Sequence, residues 1–189
     1  TANGVSDESE VDYEGLYGSS YIVALNPDGS AKWVKEFKAG YVDEEPVAYD
    51  FYGQMALSKS GVLVLTAYNY YSEMGATIMM AVDVNNDGEV LWEIVGDGEN
   101  IYFPSYNTWS SPVIYEDTIF TTIHAYAYGF HGVAAFRLSD GEELWRVEVD
   151  DCCGPADCNI SVDRDGTIYL VGDGEINIDG KDYNCPVYA

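Results

Sequence analysis

The sequence is short of bases. Eight Lys and Arg stand against 33 Asp and Glu, a formal charge of −25. Such a surface repels nucleic-acid phosphates and anionic lipid, which argues against both as partners. Long apolar runs are also missing. The longest, such as 61–65 and 77–82, fall far short of the ~20 residues that cross a bilayer. No charged-then-apolar leader opens the sequence, so any signal peptide is expected to have been removed or to lie outside it. Nowhere do apolar residues recur at i, i+3, i+4 and i+7 over three turns, which excludes long amphipathic helices. There is no Gly-rich phosphate loop, no Ser-His-Asp order and no paired Cys-x2-Cys motif, and these absences weigh against an enzyme.

What is present is a core. Of 189 residues, 47% are hydrophobic and 14% aromatic, too rich for a disordered acidic tail. That length suits one domain or part of one. The apolar residues come in short β-branched and aromatic runs at 21–25, 61–67, 77–82, 118–123, 132–138 and 167–171. Turn residues bound each run, which is an all-β pattern. Asp-Gly dipeptides begin at Asp28, Asp87, Asp97, Asp140, Asp165, Asp173 and Asp179. They suit tight hairpins because both residues tolerate positive φ. The excess of acid fits a soluble secreted surface, adaptation to high salt, or binding of divalent cations.

The hairpins repeat. "IVALNPDGSAKW" (Ile22 to Trp33), "MMAVDVNNDGEVLW" (Met79 to Trp92) and "VAAFRLSDGEELW" (Val133 to Trp145) each hold a small-residue strand, an Asp-Gly turn and a Trp four residues after the Gly. Asp28, Asp87 and Asp140 lie 59 and 53 residues apart, and so do Trp33, Trp92 and Trp145. A unit of about 55 residues with about four short strands has the size of one β-propeller blade. The second halves echo as well, in "SKSGVLVLTA" (58–67), "YEDTIFTTI" (115–123) and "DRDGTIYLVG" (163–172). The predicted units are 21–77, 78–131 and 132–186. Residues 1–20 hold the end of an earlier blade plus an acidic loop, and 187–189 open a further copy, because "VYA" aligns with Ile22-Val23-Ala24. Propellers close with about four to eight blades, and about three leave unpaired edges. The expectation is therefore a segment of a longer propeller, or copies of this chain joined edge to edge.

The spacing Ala-x-Asp-x-x-x-Gly-x-x-x-Trp resembles the Trp-docking motif of the pyrroloquinoline quinone-like repeat β-propellers. Ala135, Gly141 and Trp145 match it, with Arg137 where that family prefers Asp. Ala81, Asp83, Gly88 and Trp92 match with one extra turn residue, and Ala24, Asn26, Gly29 and Trp33 with one fewer. "SSPVI" (110–114) resembles the segment that opens the next strand in such repeats. The resemblance covers most of the chain. It implies four-stranded antiparallel blades in which Trp33, Trp92 and Trp145 pack one blade on the next. The family contains both quinoprotein alcohol dehydrogenases and non-enzymatic propellers, and fold does not fix function.

Few residues carry chemistry. Asp83, Asn85 and Asp87 alternate before Gly88 like the first half of a calcium loop, but position 12 is Ile94 where an EF-hand needs Glu. The same residues also suit a polar hairpin. Cys152, Cys153, Cys158 and Cys185 make an even count, which favours disulfides and an extracytoplasmic protein over zinc. Loop-closing pairs are one connectivity. A Cys152–Cys153 ring, as the resemblance to quinoprotein dehydrogenases allows, is the other. That family's calcium-ligating Glu and Asn, catalytic Asp and quinone-stacking Trp have no motif match here, so the quinone is not expected. His124 and His131 are the only histidines and suit structural or surface roles. Asn159-Ile160-Ser161 is a glycosylation sequon. The Tyr clusters at 68–74 and 124–128 suit blade packing or a binding face. The function expected is a secreted or cell-surface propeller that works as a structural or binding module. Its rivals are part of a calcium-dependent quinoprotein alcohol dehydrogenase and a calcium- or salt-stabilised surface protein.

Overall fold

The computed structural model describes residues 2–3, 18–42, 45–51, 55–69, 77–96, 111–125, 130–148, 160–171, 175–178, 181–184 and 187–188. Every regular element among them is a β-strand. The first sheet holds β1 (Ala2–Asn3), β2 (Ser19–Leu25) and β3 (Ala31–Lys38). A small hairpin follows, β4 (Gly40–Val42) with β5 (Glu45–Val47). The second sheet is a four-stranded meander of β6 (Met55–Leu57), β7 (Val62–Tyr68), β8 (Thr77–Asp83) and β9 (Glu89–Val95). The third repeats it with β10 (Val113–Tyr115), β11 (Thr118–Ala125), β12 (Phe130–Arg137) and β13 (Glu143–Glu148). The chain then forms β14 (Ile160–Val162), β15 (Ile168–Val171), a hairpin of β16 (Glu175–Ile178) and β17 (Lys181–Asn184), and β18 (Val187–Tyr188). β18 returns to pair with β15, so β14, β15 and β18 make the fourth sheet.

The registers superpose. Ala24 faces Trp33, Ala81 faces Trp92 and Ala135 faces Trp145, and each strand pair shifts register immediately after its Ala. The small Ala leaves room for the indole, and the bulge turns the following hairpin. β1 takes the second-strand position of its sheet, since Ala2 and Asn3 face Tyr21 and Ser20 as Ala67 and Tyr68 face Ile78 and Thr77. β18 takes the third, since Leu170 and Val171 face Tyr188 and Val187 as Leu65 and Thr66 face Met80 and Met79. A sequence unit therefore supplies the third and fourth strands of one sheet and the first and second of the next.

The core lies between sheets. Ile22, Trp33 and Phe37 pack on Leu63, Leu65, Ile78, Met80 and Val82. The other face of the second sheet, Val64, Met79 and Ala81, packs on Ile119, Ile123, Ala134, Phe136 and Leu138. Phe120, Val133 and Ala135 meet Ile160 and Leu170. A sheet covered on both faces needs apolar residues on both, so β8 is buried almost throughout, whereas β9 alternates between exposed and half-buried as an outer strand does. The first strands stand together, with β10 against both β6 and β14. Inner first strands, outer fourth strands and sheets stacked face to face make these sheets propeller blades.

Tryptophan locks one blade to the next. Trp33 Nε1 donates to the Val84 carbonyl at 3.2 Å, and Trp92 Nε1 donates to the Leu138 carbonyl at 2.9 Å. Each ring also lies on the glycine of that same turn. A Cβ on Gly88 would lie 3.0 Å from Trp33, and one on Gly141 would lie 2.8 Å from Trp92. Both glycines have positive φ, 75° and 74°. Gly141→Ala should cost at least ~1–2 kcal/mol from the left-handed backbone alone, and more from the clash. Trp92→Phe should cost about 1–3 kcal/mol by stranding the Leu138 carbonyl. Urea unfolding measures both, and unchanged midpoints would remove the interlock from its central role.

Candidate functional site

In each complete blade both hairpin turns lie at one end. The Val84 amide donates to the Gly61 carbonyl at 2.9 Å, and the Leu138 amide donates to the Asp117 carbonyl at 2.8 Å. These bonds tie the turn between third and fourth strands to the turn between first and second. At this end the first turns of three sheets border a groove of about 680 Å³, lined by residues 57–60, 114–117 and Arg164. Tyr115 Oη donates to the Arg164 carbonyl at 2.9 Å, and its ring lies over Gly166, where a Cβ would be 3.2 Å away. Ser58 Oγ accepts the Val62 amide at 2.9 Å and lies 2.9 Å from Ser60 Oγ. Two of the chain's eight bases, Lys59 and Arg164, line the groove beside Glu116 and Asp117. Such a mixed-charge wall with hydroxyls and one aromatic ring suits recognition of a polar ligand.

The aspartates of the turns serve their own backbone. Asp28 Oδ1 accepts the Ser30 amide at 3.0 Å and the Ser30 hydroxyl at 2.7 Å. Asp140 Oδ1 accepts the Glu142 amide at 3.0 Å. Asp163 Oδ1 accepts the Asp165 amide at 2.8 Å and the Thr167 amide at 3.1 Å. These bonds hold all three carboxyls below the usual carboxylate range, chiefly through the Ser30 hydroxyl, the Glu142 amide and the Asp165 amide respectively.

The candidate calcium loop is built the same way. Asp83 Oδ1 accepts the Asn85 amide at 2.8 Å. Asn85 Nδ2 reaches sideways and donates to the Ser60 carbonyl at 3.1 Å. Asp87 has a φ of 49°, so Asp87-Gly88 uses positive φ at both residues. The aspartates of the other described Asp-Gly turns do not, and there only the glycine does. Among the described residues no group of three or more His, Cys, Asp or Glu is placed to hold a metal.

His124 and His131 face each other in the β11–β12 register. Their side chains lie outside the described residues, as do Cys152, Cys153, Cys158, Cys185, Asn159 and most of the two Tyr clusters. Trp145 stands opposite Ala135 as expected, 5.8 Å from the Phe120 ring, but is 39% exposed where Trp33 is 8% exposed.

One pair was invisible in the sequence. Tyr49 Oη lies 3.3 Å from both Glu93 carboxylate oxygens, and its ring packs against Phe37 and Phe51. The partners are 44 residues apart and belong to no motif. Burial pushes the Tyr49 phenol up to about 12, helped by the Glu93 charge and hydrogen bond. Burial also raises Glu93, partly offset by the bond from Tyr49.

No protein-family model matches the chain, and no curated protein matches it. Solved structures that resemble part of it include a europium-containing methanol dehydrogenase, at 14% identity and a TM-score of 0.42 over 71% of this chain. A quinohemoprotein alcohol dehydrogenase from Comamonas testosteroni resembles it at 16% identity and 0.43 over 71%. BamB from Moraxella catarrhalis does so at 15% identity and 0.31 over 92%. The chain spans 24%, 19% and 62% of those three proteins. Strand order, register and tryptophan docking within the chain, not these likenesses, identify the sheets as blades.

Tyr49 has a consequence in alkali. Tyrosine in an unfolded chain ionises near pH ~10. From there to about 12 the folded chain keeps a proton that the unfolded chain has lost, so stability falls as pH rises. In Tyr49→Phe the urea midpoint should fall less steeply across that window than in the native chain. Equal slopes would show that the Tyr49 phenol does not differ between the two states.

Proposed function

We propose that this chain acts as an extracytoplasmic β-propeller scaffold, a structural and binding module whose blades form a rigid frame and whose turns and edges take partners. The observation that carries this reading is the use made of its polar residues. Asp28, Asp140 and Asp163 accept their own turn amides, and Asn85 ties two turns together. Among the described residues these four side chains hold the hairpins in shape. The groove between turns offers a surface for recognition. The repeat units are taken as 21–77, 78–131 and 132–186, and the partners as further blades or further copies. The cysteine count and the acidic, Tyr-rich composition support an oxidising, extracytoplasmic setting with disulfides among Cys152, Cys153, Cys158 and Cys185. Among the described residues, no helix is long and apolar enough to cross a membrane.

The second reading is part of a quinoprotein alcohol dehydrogenase, favoured by the adjacent Cys152 and Cys153 together with the repeat pattern. Incubation of the purified native protein with pyrroloquinoline quinone and calcium decides between them. The scaffold reading expects no retained quinone absorbance and no dye-linked alcohol oxidation. The appearance of both would establish the dehydrogenase instead.

Calcium at Asp83, Asn85 and Asp87, or stabilisation by salt, is the third reading. Melting with and without chelator, and across salt, addresses it. A chelator-induced drop that Asp87→Ala abolishes would place the ion in this loop. Unchanged melting in both series would remove the ion and the salt from the account.

A further inference from the structure

The three first turns along the groove each carry charge at the apex. In the second sheet the Ser58 amide donates to the Val62 carbonyl at 2.8 Å, and the Gly61 amide donates to the Ser58 carbonyl at 3.2 Å. Lys59 and Ser60 form the apex. In the third sheet Tyr115 faces Thr118, and Glu116 and Asp117 are the two residues between them. In the fourth the Asp163 amide donates to the Thr167 carbonyl at 3.0 Å, and the Gly166 amide donates to the Asp163 carbonyl at 3.2 Å. Arg164 and Asp165 form that apex. Lys59, Glu116, Asp117 and Arg164 all line the groove.

These charges do not neutralise one another. Among the described residues the ion pairs involve neither Lys59, Glu116 nor Asp117. Arg164 pairs loosely, at 3.8 Å, with its exposed neighbour Asp165. A donor is free as well. Ser58 and Ser60 carry two hydroxyl protons and share one bond at 2.9 Å, while Ser58 Oγ accepts the Val62 amide, so one O–H remains to donate. The middle turn is also strained. Gly61 and Gly166 take the positive φ of their turns, at 91° and 84°, but in the third sheet Glu116 takes it, at 52°. A side chain in that conformation strains a backbone that glycine would relax. The turn keeps an acid there, in the sheet that stands between those carrying Lys59 and Arg164.

We propose that the groove binds a short peptide segment of mixed charge, acid–base–acid in order, carried by a partner of the scaffold. The order follows from the turns, with bases on the two flanking sheets and acids on the middle one. The peptide's carboxylates pair with Lys59 and Arg164, and its central cation pairs with Glu116 and Asp117. Arg164 brings the forked donor that a carboxylate accepts with both oxygens. The free hydroxyl of Ser58 and Ser60 donates to a peptide carbonyl. The volume of about 680 Å³ falls within the range of sites that enclose small ligands, room for a few residues. A ligand of one sign meets a repeller as well as an attractor, which selects against it. An all-basic peptide is drawn instead to the acidic surface at large, since the chain carries −25.

This deepens the scaffold reading and rests on it for the partner's role alone, since the quinone assay decides that reading and peptide binding decides this one. The probe is a capped pentapeptide of alternating Glu and Lys with Glu at both ends, titrated calorimetrically into the native protein. The control holds the same residues with the two charges in separate blocks. The alternating peptide should saturate one site, bind about fivefold tighter than the control, and weaken as salt rises to ~0.5 M. Arg164→Ala should weaken binding about tenfold, with the fold kept because Tyr115 bonds the backbone carbonyl at that position. Glu116→Gly should also weaken it about tenfold, yet leave the urea midpoint no lower, because glycine suits the left-handed position. Loss of binding without loss of stability separates a site from a structural turn. No saturable binding of the alternating peptide, equal affinity for the two peptides, or variants that bind as the native protein does would each overturn the proposal.

Discussion

The fold depends on an indole clamped between a glycine and a carbonyl. A four-stranded blade has two apolar faces and cannot bury either alone. Burying one tryptophan removes roughly 150–250 Å² from water, worth about 4–6 kcal/mol as an upper figure before entropy is charged. The N–H then needs a partner, and the turn of the neighbouring blade supplies it at 3.2 Å for Trp33 and 2.9 Å for Trp92. The hydrogen bond gives the apolar contact a direction. It sets where each sheet sits on the last, and the core clusters between sheets follow from that placement. Ala opposite the Trp and Gly beneath it are consequences of the same clamp, since a larger residue at either position would occupy the space of the ring.

Among the described residues no Asp, Glu, Lys or Arg belongs to the buried core. Among the described residues the buried polar groups are Ser20, Thr66, Asn69, Thr77, Thr121 and Thr122, none of them ionised. Among the described residues, Asp28, Asp140 and Asp163 sit in turns where amides meet them, and Glu36, Glu89 and Glu143 sit on outer strands. Arg137 shows the same economy. It stands where the repeat pattern prefers Asp, and it pairs with Asp140 at 3.1 Å and with Glu142 in the turn that follows. A cation there is tolerated because the turn already carries two acids. Only the Glu93 carboxyl, pressed against Tyr49, is raised among the described carboxylates with a resolved shift, and it lies beside the aromatic cluster of Phe37, Tyr49 and Phe51.

Much of the scaffold was legible because its determinants are local. The short apolar runs became strands, and Gly29, Gly88, Gly141 and Gly166 all took the left-handed turn positions that Asp-Gly spacing implies. The aspartates were harder to read. Positive φ applies to Asp87 alone among them, while Asp28, Asp140 and Asp163 act through side-chain bonds to nearby amides. Asn85 read equally well as a cation ligand or a turn residue, and only the position of the Ser60 carbonyl, 25 residues away, shows what its amide does. The groove of Ser58, Tyr115 and Arg164 gathers three hairpins that the sequence keeps about 50 residues apart. No local pattern marks it, beyond the glycines that follow two of the turns.

The amino-acid order by itself determined the repeat, the strand type and the identity of the docking residues, because period-two alternation, turn chemistry and a recurrent Ala…Gly…Trp spacing act over a few residues at a time. The tertiary structure decided what those residues meet. It paired Trp33 with Val84 and Trp92 with Leu138, set Tyr49 on Glu93, drew three turns around one groove, and left Trp145 and the Gly29 turn open. Contacts between residues some 50 positions apart depend on how sheets stack, and stacking is a property of the assembled blades rather than of any one segment.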